Sequence, residues 1–371
     1  MGEEVLEKYF ATIFTSSNPS GFEEILEGVH RAEVEVGEMD MGGEFQALEV
    51  YQALKQMAPL RASGPNDTSP IFYKSFCHIV GEEVIVVVLR ALNTSIIPEA
   101  INTTFISLIP KIKNPKKASD FRPISLCNVI YKLVAKVKAN NLKKFLVKSM
   151  PDSQSAFLSG RLIIDNILMA FETLHCLKRK TTGKFRCMAL KLDMSKAYDL
   201  VEWEFLKKIM NHLGVDERLV KIIMSCLSSV SYSVLLDGQP VGNIKPSRGL
   251  RQGDPLSPYL FLLCALGLQS LIQKAEVNKE IKGVYICRNG PRVSHLFFVD
   301  DNVLFCRATK AECQRILILA VYQKCLGQKL IGIRQISFLA PTHKITSKFA
   351  SSHYWVFLPF TNMRNIWVCQ Y

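Results

Sequence analysis

The sequence predicts an α+β fold, on three observations. Long stretches carry apolar residues at the 3.6-residue helical period, short β-type runs are bounded by turn residues, and 48% of the 371 residues are hydrophobic. That is enough to bury a large core shared by two or three subdomains.

Residues 1–70 form a helical lead-in, acidic at Glu3, Glu4 and Glu7, with an amphipathic stretch FQALEVYQALKQM that stops before Pro59. The loop RASGPNDTSP carries the turn pairs Gly64-Pro65 and Asn66-Asp67. A helix (FYKSFCHIVGEEVIVVVLRAL) follows, then a strand (TTFISLIP), a basic loop (KIKNPKKASD), the block FRPISL and a second helix, YKLVAKVKANNLKKFL. That helix sets Lys132, Lys136, Lys143 and Lys144 around an apolar stripe of Leu133, Val137 and Leu142. It reads as a solvated helix face or as a cationic helix beside a nucleic-acid groove.

Phe185 to Leu192 reads as a strand ending in Asp193, and Val201 to Leu213 as a helix. YSVLLDGQPVGNI is a hairpin about Asp237-Gly238. PLSPYLFLLCALGLQSLI is apolar nearly all round, which marks a buried helix with Pro255 near its first turn. VSHLFFVDDNVLFCRA forms two strands meeting at Val299, Asp300, Asp301 and Asn302.

Lysine and arginine total 46 against 33 acids, a formal charge of +13 that suits a polyanionic partner. The eleven cysteines show no Cys-x-x-Cys pair and no zinc spacing, so they read as small buried thiols of a reducing compartment. The amino terminus lacks a signal-peptide apolar region, and the longest apolar run, Tyr259 to Leu268, is about half a membrane span. These features predict an intracellular protein of cytoplasm or nucleus without a membrane partner.

Two adjacent carboxylates at the tip of an apolar hairpin repel each other unless a cation neutralises them. A second apolar strand ending in Asp193 supplies a third carboxylate. Taken alone, the Asp-Asp pair also serves plain turn chemistry. Three carboxylates brought together from two strand ends would form an oxygen-ligand site suited to Mg²⁺, which takes few carboxylates plus substrate phosphates. Two such ions about 4 Å apart activate a hydroxyl and stabilise a leaving group in phosphoryl transfer.

The ordered blocks FRPISL (121–126), QSAFLSGR (154–161), LDMSKAYD (192–199), RGLRQGDPLSP (248–258) and FVDD (298–301) strongly resemble reverse transcriptases of plant-type LINE (non-LTR) retrotransposons, nearly continuously from about residue 9 to 330. The resemblance implies a right-hand polymerase fold: fingers over 71–185, a palm over 186–340 with an antiparallel sheet packed on helices, and a thumb absent or degenerate. Residues 341–371 stay unassigned. It implies Asp193, Asp300 and Asp301 as catalytic residues, Asp193 and Asp300 being the principal ligands of two Mg²⁺ ions, with Mn²⁺ an alternative.

By the same resemblance Tyr198 sits at the steric-gate position beneath the sugar; on its own it reads as a core aromatic. Gln252 and Gly253 lie where the backbone approaches the incoming nucleotide. Arg122 matches the basic residue that reaches the triphosphate; on its own it reads as a surface ion-pair partner. Asp199, Glu202 and Asp254 read as structural acids. The implied partners are an RNA template, a DNA primer and deoxynucleoside triphosphates, with template in a groove lined by Lys111, Lys113, Lys116 and Lys117 and salt-sensitive in affinity.

Three places depart from the family's pattern. Val299 replaces the alanine of F-A-D-D, and the loop ASGPNDT lacks the last glycine of P-G-P-D-G. LGQKLIGIRQ has Arg334-Gln335 where the family has Lys-Ser, and arginine, with a pKa above about 12, gives up its proton reluctantly to a departing pyrophosphate. Slowed turnover is expected. The alternative is a catalytically impaired remnant that only binds nucleic acid.

Overall fold

The computed structural model describes residues 2–29, 43–179, 187–194, 196–287, 290, 292–299, 301–316, 322 and 330–336, with the backbone alone for Lys178, Asp193, Asp301 and residues 330–336. Its elements run α1 (Glu3–Phe14), α2 (Glu23–Leu26), α3 (Ala47–Gln56), α4 (Pro70–Ser75), α5 (Cys77–Thr94), α6 (Glu99–Asn102), β1 (Thr103–Pro110), β2 (Phe121–Cys127), α7 (Val129–Ser149) and α8 (Ile163–Arg179). They continue as β3 (Cys187–Met194), α9 (Trp203–His212), α10 (Glu217–Ser228), β4 (Ser231–Leu236), β5 (Gln239–Ile244), α11 (Ser257–Val277), β6 (Val284–Tyr285) and β7 (Arg292–Val293). Last come β8 (His295–Phe298), β9 (Asp301–Arg307), α12 (Lys310–Arg315) and β10 (Leu330–Ile336).

Two compact units form, each from separated stretches: one from Met1–Met150 and Lys196–Gly267, the other from Pro151–Ser195, Leu268–Gln323 and β10.

In the first unit the strand order is β2-β1-β4-β5, with β1 antiparallel to β2 and parallel to β4. The helical period of α1 puts Leu6, Phe10, Ile13 and Phe14 on one face, buried against Tyr232, Val234 and Ile244. Full burial of such side chains contributes about 1.5–3 kcal/mol each, before the entropy cost of ordering them. The β4–β5 hairpin turns at Asp237 (φ 49°) and Gly238 (φ 81°), the two left-handed residues that a two-residue turn matching strand twist requires.

The sequence suggested one helix where the structure breaks α4 from α5 at Phe76, and it assigned no strand to FRPISL, which is β2. The first-turn proline of α11 is Pro258; Pro255 lies ahead of it. By length and composition α11 can cross a membrane, yet 78% of its apolar window is buried in the fold. Helix α7 corrects the solvated-face reading for one lysine: Lys132 is buried and donates to the Ala62 carbonyl at 2.6 Å. A second lysine of α7, Lys138, is buried with its ammonium 3.4 Å from the Phe45 ring centre. At the start of α7 the ASGPNDT loop packs so tightly that a Cβ on Gly64 would fall 2.5 Å from the Asn128 nitrogen.

The second unit holds an antiparallel sheet in the order β10-β3-β9-β8. Leu177 of α8 joins Ala189, Val303 and Phe305 in its core. Among the described residues the cysteines are free thiols, with Cys127, Cys226, Cys264 and Cys306 buried.

Candidate active site

Strand β8 pairs with β9 up to Phe298↔Asp301, and Val299 follows β8 directly. Val299 adopts φ 55°, a left-handed conformation that a β-branched residue resists. The register of β3 on β9 runs from Cys187↔Arg307 to Asp193↔Asp301. Directly opposed residues of an antiparallel pair share one face with Cα atoms about 4.5–5.5 Å apart, and two like charges so placed destabilise the sheet. Two acidic residues so opposed at a strand end suit a hard divalent cation, which takes oxygen ligands. Asp300 and the carboxylates of Asp193 and Asp301 lie outside the described atoms. Among the described residues no cluster of three or more His, Cys, Asp or Glu side chains is arranged to hold a metal.

The segment 153–166, which contains the QSAFLSGR block, is bonded to β8 at Phe297. The Phe297 amide donates to the Ser153 carbonyl at 2.9 Å, Gln154 bridges to Phe297, and the Asn166 amide donates to the Phe297 carbonyl at 3.0 Å. Arg161 closes its own loop by donating to the carbonyls of Pro151 and Gln154. His295 sits buried between Ser153 and Ser294, and burial holds its pKa down at about 4. It is a neutral packing group.

In the first unit the turn 248–254 is fastened on three sides. The Arg248 amide donates to the Phe14 carbonyl at 3.1 Å, the Gly249 and Leu250 amides donate to the carbonyls of Val201 and Tyr198 at 2.8 Å, and the Gln252 carbonyl accepts from Ser125 of β2 at 2.8 Å. Gly249 (φ 96°) and Gly253 (φ 109°) are left-handed, and a Cβ on Gly249 would meet the Asp199 carbonyl at 2.7 Å. Tyr198, Gln252 and Gly253, expected from sequence as nucleotide contacts, therefore lie on turns bonded to each other or to β2. The Tyr198 ring is half-buried, stacked on Phe261 at 5.0 Å and 8°.

Sequence reasoning missed the anchor beneath this turn. Arg251 is 2% exposed, 3.2 Å from the Asp254 carboxylate, and donates to Asn102, to the Cys226 carbonyl and to the Tyr131 hydroxyl. The Tyr131 hydroxyl donates in turn to Asp254 at 2.7 Å. The one signal was the i,i+3 spacing of Arg251 and Asp254. Asp254 and Glu202 are structural acids as expected: Asp254 also accepts from the Leu256 amide, and Glu202 binds Ser16, Ser17 and Arg248.

Asp199 is a different case. It is 4% exposed and accepts the Gln252 side-chain amide at 3.0 Å. Burial pushes its carboxyl up to about 6, against the pull of that hydrogen bond and of Lys196 and Lys111. Burial lowers the Lys111 ammonium; Asp199 raises it, while Arg122 and Lys196 press it down further. Lys111, Lys196 and exposed Arg122 of β2 thus form one cationic cluster above the turn. Lys113, Lys116 and Lys117 are exposed in the β1–β2 connection.

A separate groove of about 570 Å³ runs between α3 and α7, lined by Gln52, Gln56, Lys136, Asn140, Lys143 and Lys144 among others. Burial lowers the Lys136 ammonium, and Lys143 and Arg61 add to the effect. The groove's three lysines and side-chain amides, set against the one carboxylate of Glu49, leave a net positive lining that suits a sugar-phosphate backbone.

The sequence profile of the family described as reverse transcriptase (RNA-dependent DNA polymerase) matches residues 112–333. Over 305 residues the chain is 26% identical to an uncharacterized 149 kDa protein of transposon TX1 from Xenopus laevis, covering 80% of this chain and 23% of that protein. Over 67 residues it is 49% identical to an uncharacterized mitochondrial protein of Arabidopsis thaliana, covering 18% of this chain and 55% of that one. Over 167 residues it is 29% identical to a retrovirus-related Pol polyprotein from the type-1 retrotransposable element R2 of Popillia japonica, covering 43% of this chain and 23% of the polyprotein. The chain spans about a quarter of the length of the transposon TX1 and R2 proteins.

Proposed function

The chain belongs to the reverse transcriptase family, and from that premise we propose that it is the polymerase core of a LINE-type, non-LTR retrotransposon that adds deoxynucleotides to a primer 3′ end on an RNA template. The observation that carries this reading is the register that opposes Asp193 to Asp301, with Asp300 next to Asp301 in the sequence. Nothing in strand stability favours that pair, while a divalent cation accounts for it.

Asp193 and Asp300 would hold two Mg²⁺ ions, or Mn²⁺, with Asp301 the third acid. Bound there, the ions supply activation of the primer hydroxyl and charge stabilisation on the leaving pyrophosphate. This chain's own groups bind and orient. Arg122 and Lys111 meet the triphosphate as cations, the fork of arginine matching phosphate oxygens. Tyr198 lies beneath the sugar and excludes a 2′ hydroxyl, held flat by its stack on Phe261. Gln252 and Gly253 face the base and sugar of the incoming deoxynucleotide from a turn that Arg251 and Ser125 keep rigid. Lys113, Lys116 and Lys117 on one side, and the α3–α7 groove on another, offer phosphate contacts for template and primer.

Residues 71–185 then serve as fingers and 186–340 as palm, and the short Arabidopsis match favours a plant-type element. Such substrates place the work in cytoplasm or nucleus. Arg334-Gln335 favours a second reading, a remnant that binds nucleic acid without turnover.

Primer extension on an RNA template with Mg²⁺, comparing wild type with Asp300→Asn, decides between them. Extension by wild type and none by the variant supports the polymerase. Extension that survives the substitution removes the metal assignment, and template binding without extension by folded wild type selects the remnant.

A further inference from the structure

We propose that Asp199 is a positioning residue that sets the orientation of the Gln252 side-chain amide toward the incoming deoxynucleotide. The inference rests on the reading of Gln252 as a nucleotide contact. The sequence put Asp199 among structural acids, yet it caps no described helix, and its side-chain bond goes to Gln252. An ionised carboxylate only accepts hydrogen bonds, so the Gln252 amide must turn its nitrogen toward Asp199 and its oxygen the other way.

The setting makes this lock firm. Asp199 is buried, and its backbone carbonyl is packed under Gly249. The Gln252 backbone is fixed to Ser125, and its neighbour Gly253 accepts from Arg61 at 2.6 Å. With backbone and amide both fixed, one acceptor and one remaining N–H of Gln252 stand in a defined direction before any ligand arrives, which lowers the ordering cost of binding.

The groups acting on Asp199 are Lys196 of its own turn, Lys111 after β1, and the tyrosines Tyr9 of α1 and Tyr232 of β4. Both tyrosines titrate above their ordinary range, while burial brings the Asp199 carboxyl up to about 6, so Asp199 changes charge near that pH. Protonated, it can donate to the Gln252 oxygen, and the amide is then free to turn over.

The test is the Kd of a deoxynucleoside triphosphate for the protein on primer–template, with a dideoxy-terminated primer so that no turnover is needed. Wild type, Asp199→Asn, Gln252→Ala and the double variant are compared from pH 5.5 to 8. At pH 8, Asp199→Asn should weaken binding about fivefold, the order expected when a charge-assisted bond becomes neutral. Its ratio to wild type should fall toward one below about pH 6, and it should add nothing to Gln252→Ala.

A purely structural Asp199 predicts the same loss on both backgrounds and a ratio independent of pH; either result overturns the proposal. If Gln252→Ala weakens binding and Asp199→Asn does not, the positioning role alone falls. If Gln252→Ala binds as wild type does, or wild type binds no nucleotide, the Gln252 reading falls and takes this one with it.

Discussion

Asp193 stands directly opposite Asp301 in the antiparallel β3–β9 ladder. Two like charges in such a pair cost about 0.2–1 kcal/mol, and a cation that binds them only in the fold stabilises by mass action. Asp193→Asn should therefore raise the melting temperature in chelator by a degree or more, while Mg²⁺ raises that of wild type and leaves the variant unmoved. Thermal melts with and without Mg²⁺ check this. Equal Mg²⁺ shifts in both proteins would rule the pair out as a cation site.

Arg251 and Asp254 are paired with 1% and 2% side-chain exposure. Removing one member leaves the other charge buried, a loss of about 3–5 kcal/mol. Arg251→Met is expected to lower the unfolding free energy by that amount, read as a lower urea midpoint at unchanged m-value. A loss under about 1 kcal/mol would mean that neither the buried pair nor the Arg251 contacts to Asn102, Tyr131 and Cys226 hold the turn.

Val299 holds φ 55° in the carboxylate turn. A left-handed L-residue costs about 1–2 kcal/mol, and glycine's extra unfolded-state entropy takes back about 0.5–1. Val299→Gly should stabilise by up to about 1 kcal/mol in equilibrium unfolding; destabilisation would show that the valine side chain is held by packing.

Burial lowers the Lys138 pKa to about 7 from 10.5. Between those values the unfolded chain binds more protons than the fold, so stability rises with pH across the window, by up to about 1.4 kcal/mol per unit. Lys138→Met should flatten that slope and stabilise the protein at pH 7. An unchanged slope between pH 7 and 10 would locate the titration elsewhere.

Arg334 pairs in backbone register with Lys191 across β10 and β3. If a lysine proton assists pyrophosphate departure, Arg334→Lys should raise steady-state incorporation about tenfold or more. No gain in rate would sink that explanation of the departure from the family's pattern.

Local patterns carried much of this protein. Helical patterning placed α1, α3, α7 and α9, an apolar run with a first-turn proline signal placed α11, the Asp237-Gly238 pair placed the β4–β5 turn, and apolar runs on either side of Asp300 and Asp301 placed the β8–β9 hairpin. All of these depend on residues a few positions apart, which interact through backbone geometry before the chain is compact.

Long-range packing decided the rest. Strand register opposed Asp193 to Asp301, and side-on packing of α7 buried Lys132 and Lys138 while leaving Lys136 and Lys143 at a groove. Tertiary contact alone put Arg251 against Tyr131 and Asn102, more than a hundred residues away, and gave Gln252 the acceptor Asp199. A sequence states which side chains are present and how a segment repeats. Which buried polar group finds which partner depends on desolvation, because only the folded interior makes an unpaired group costly enough to select one arrangement.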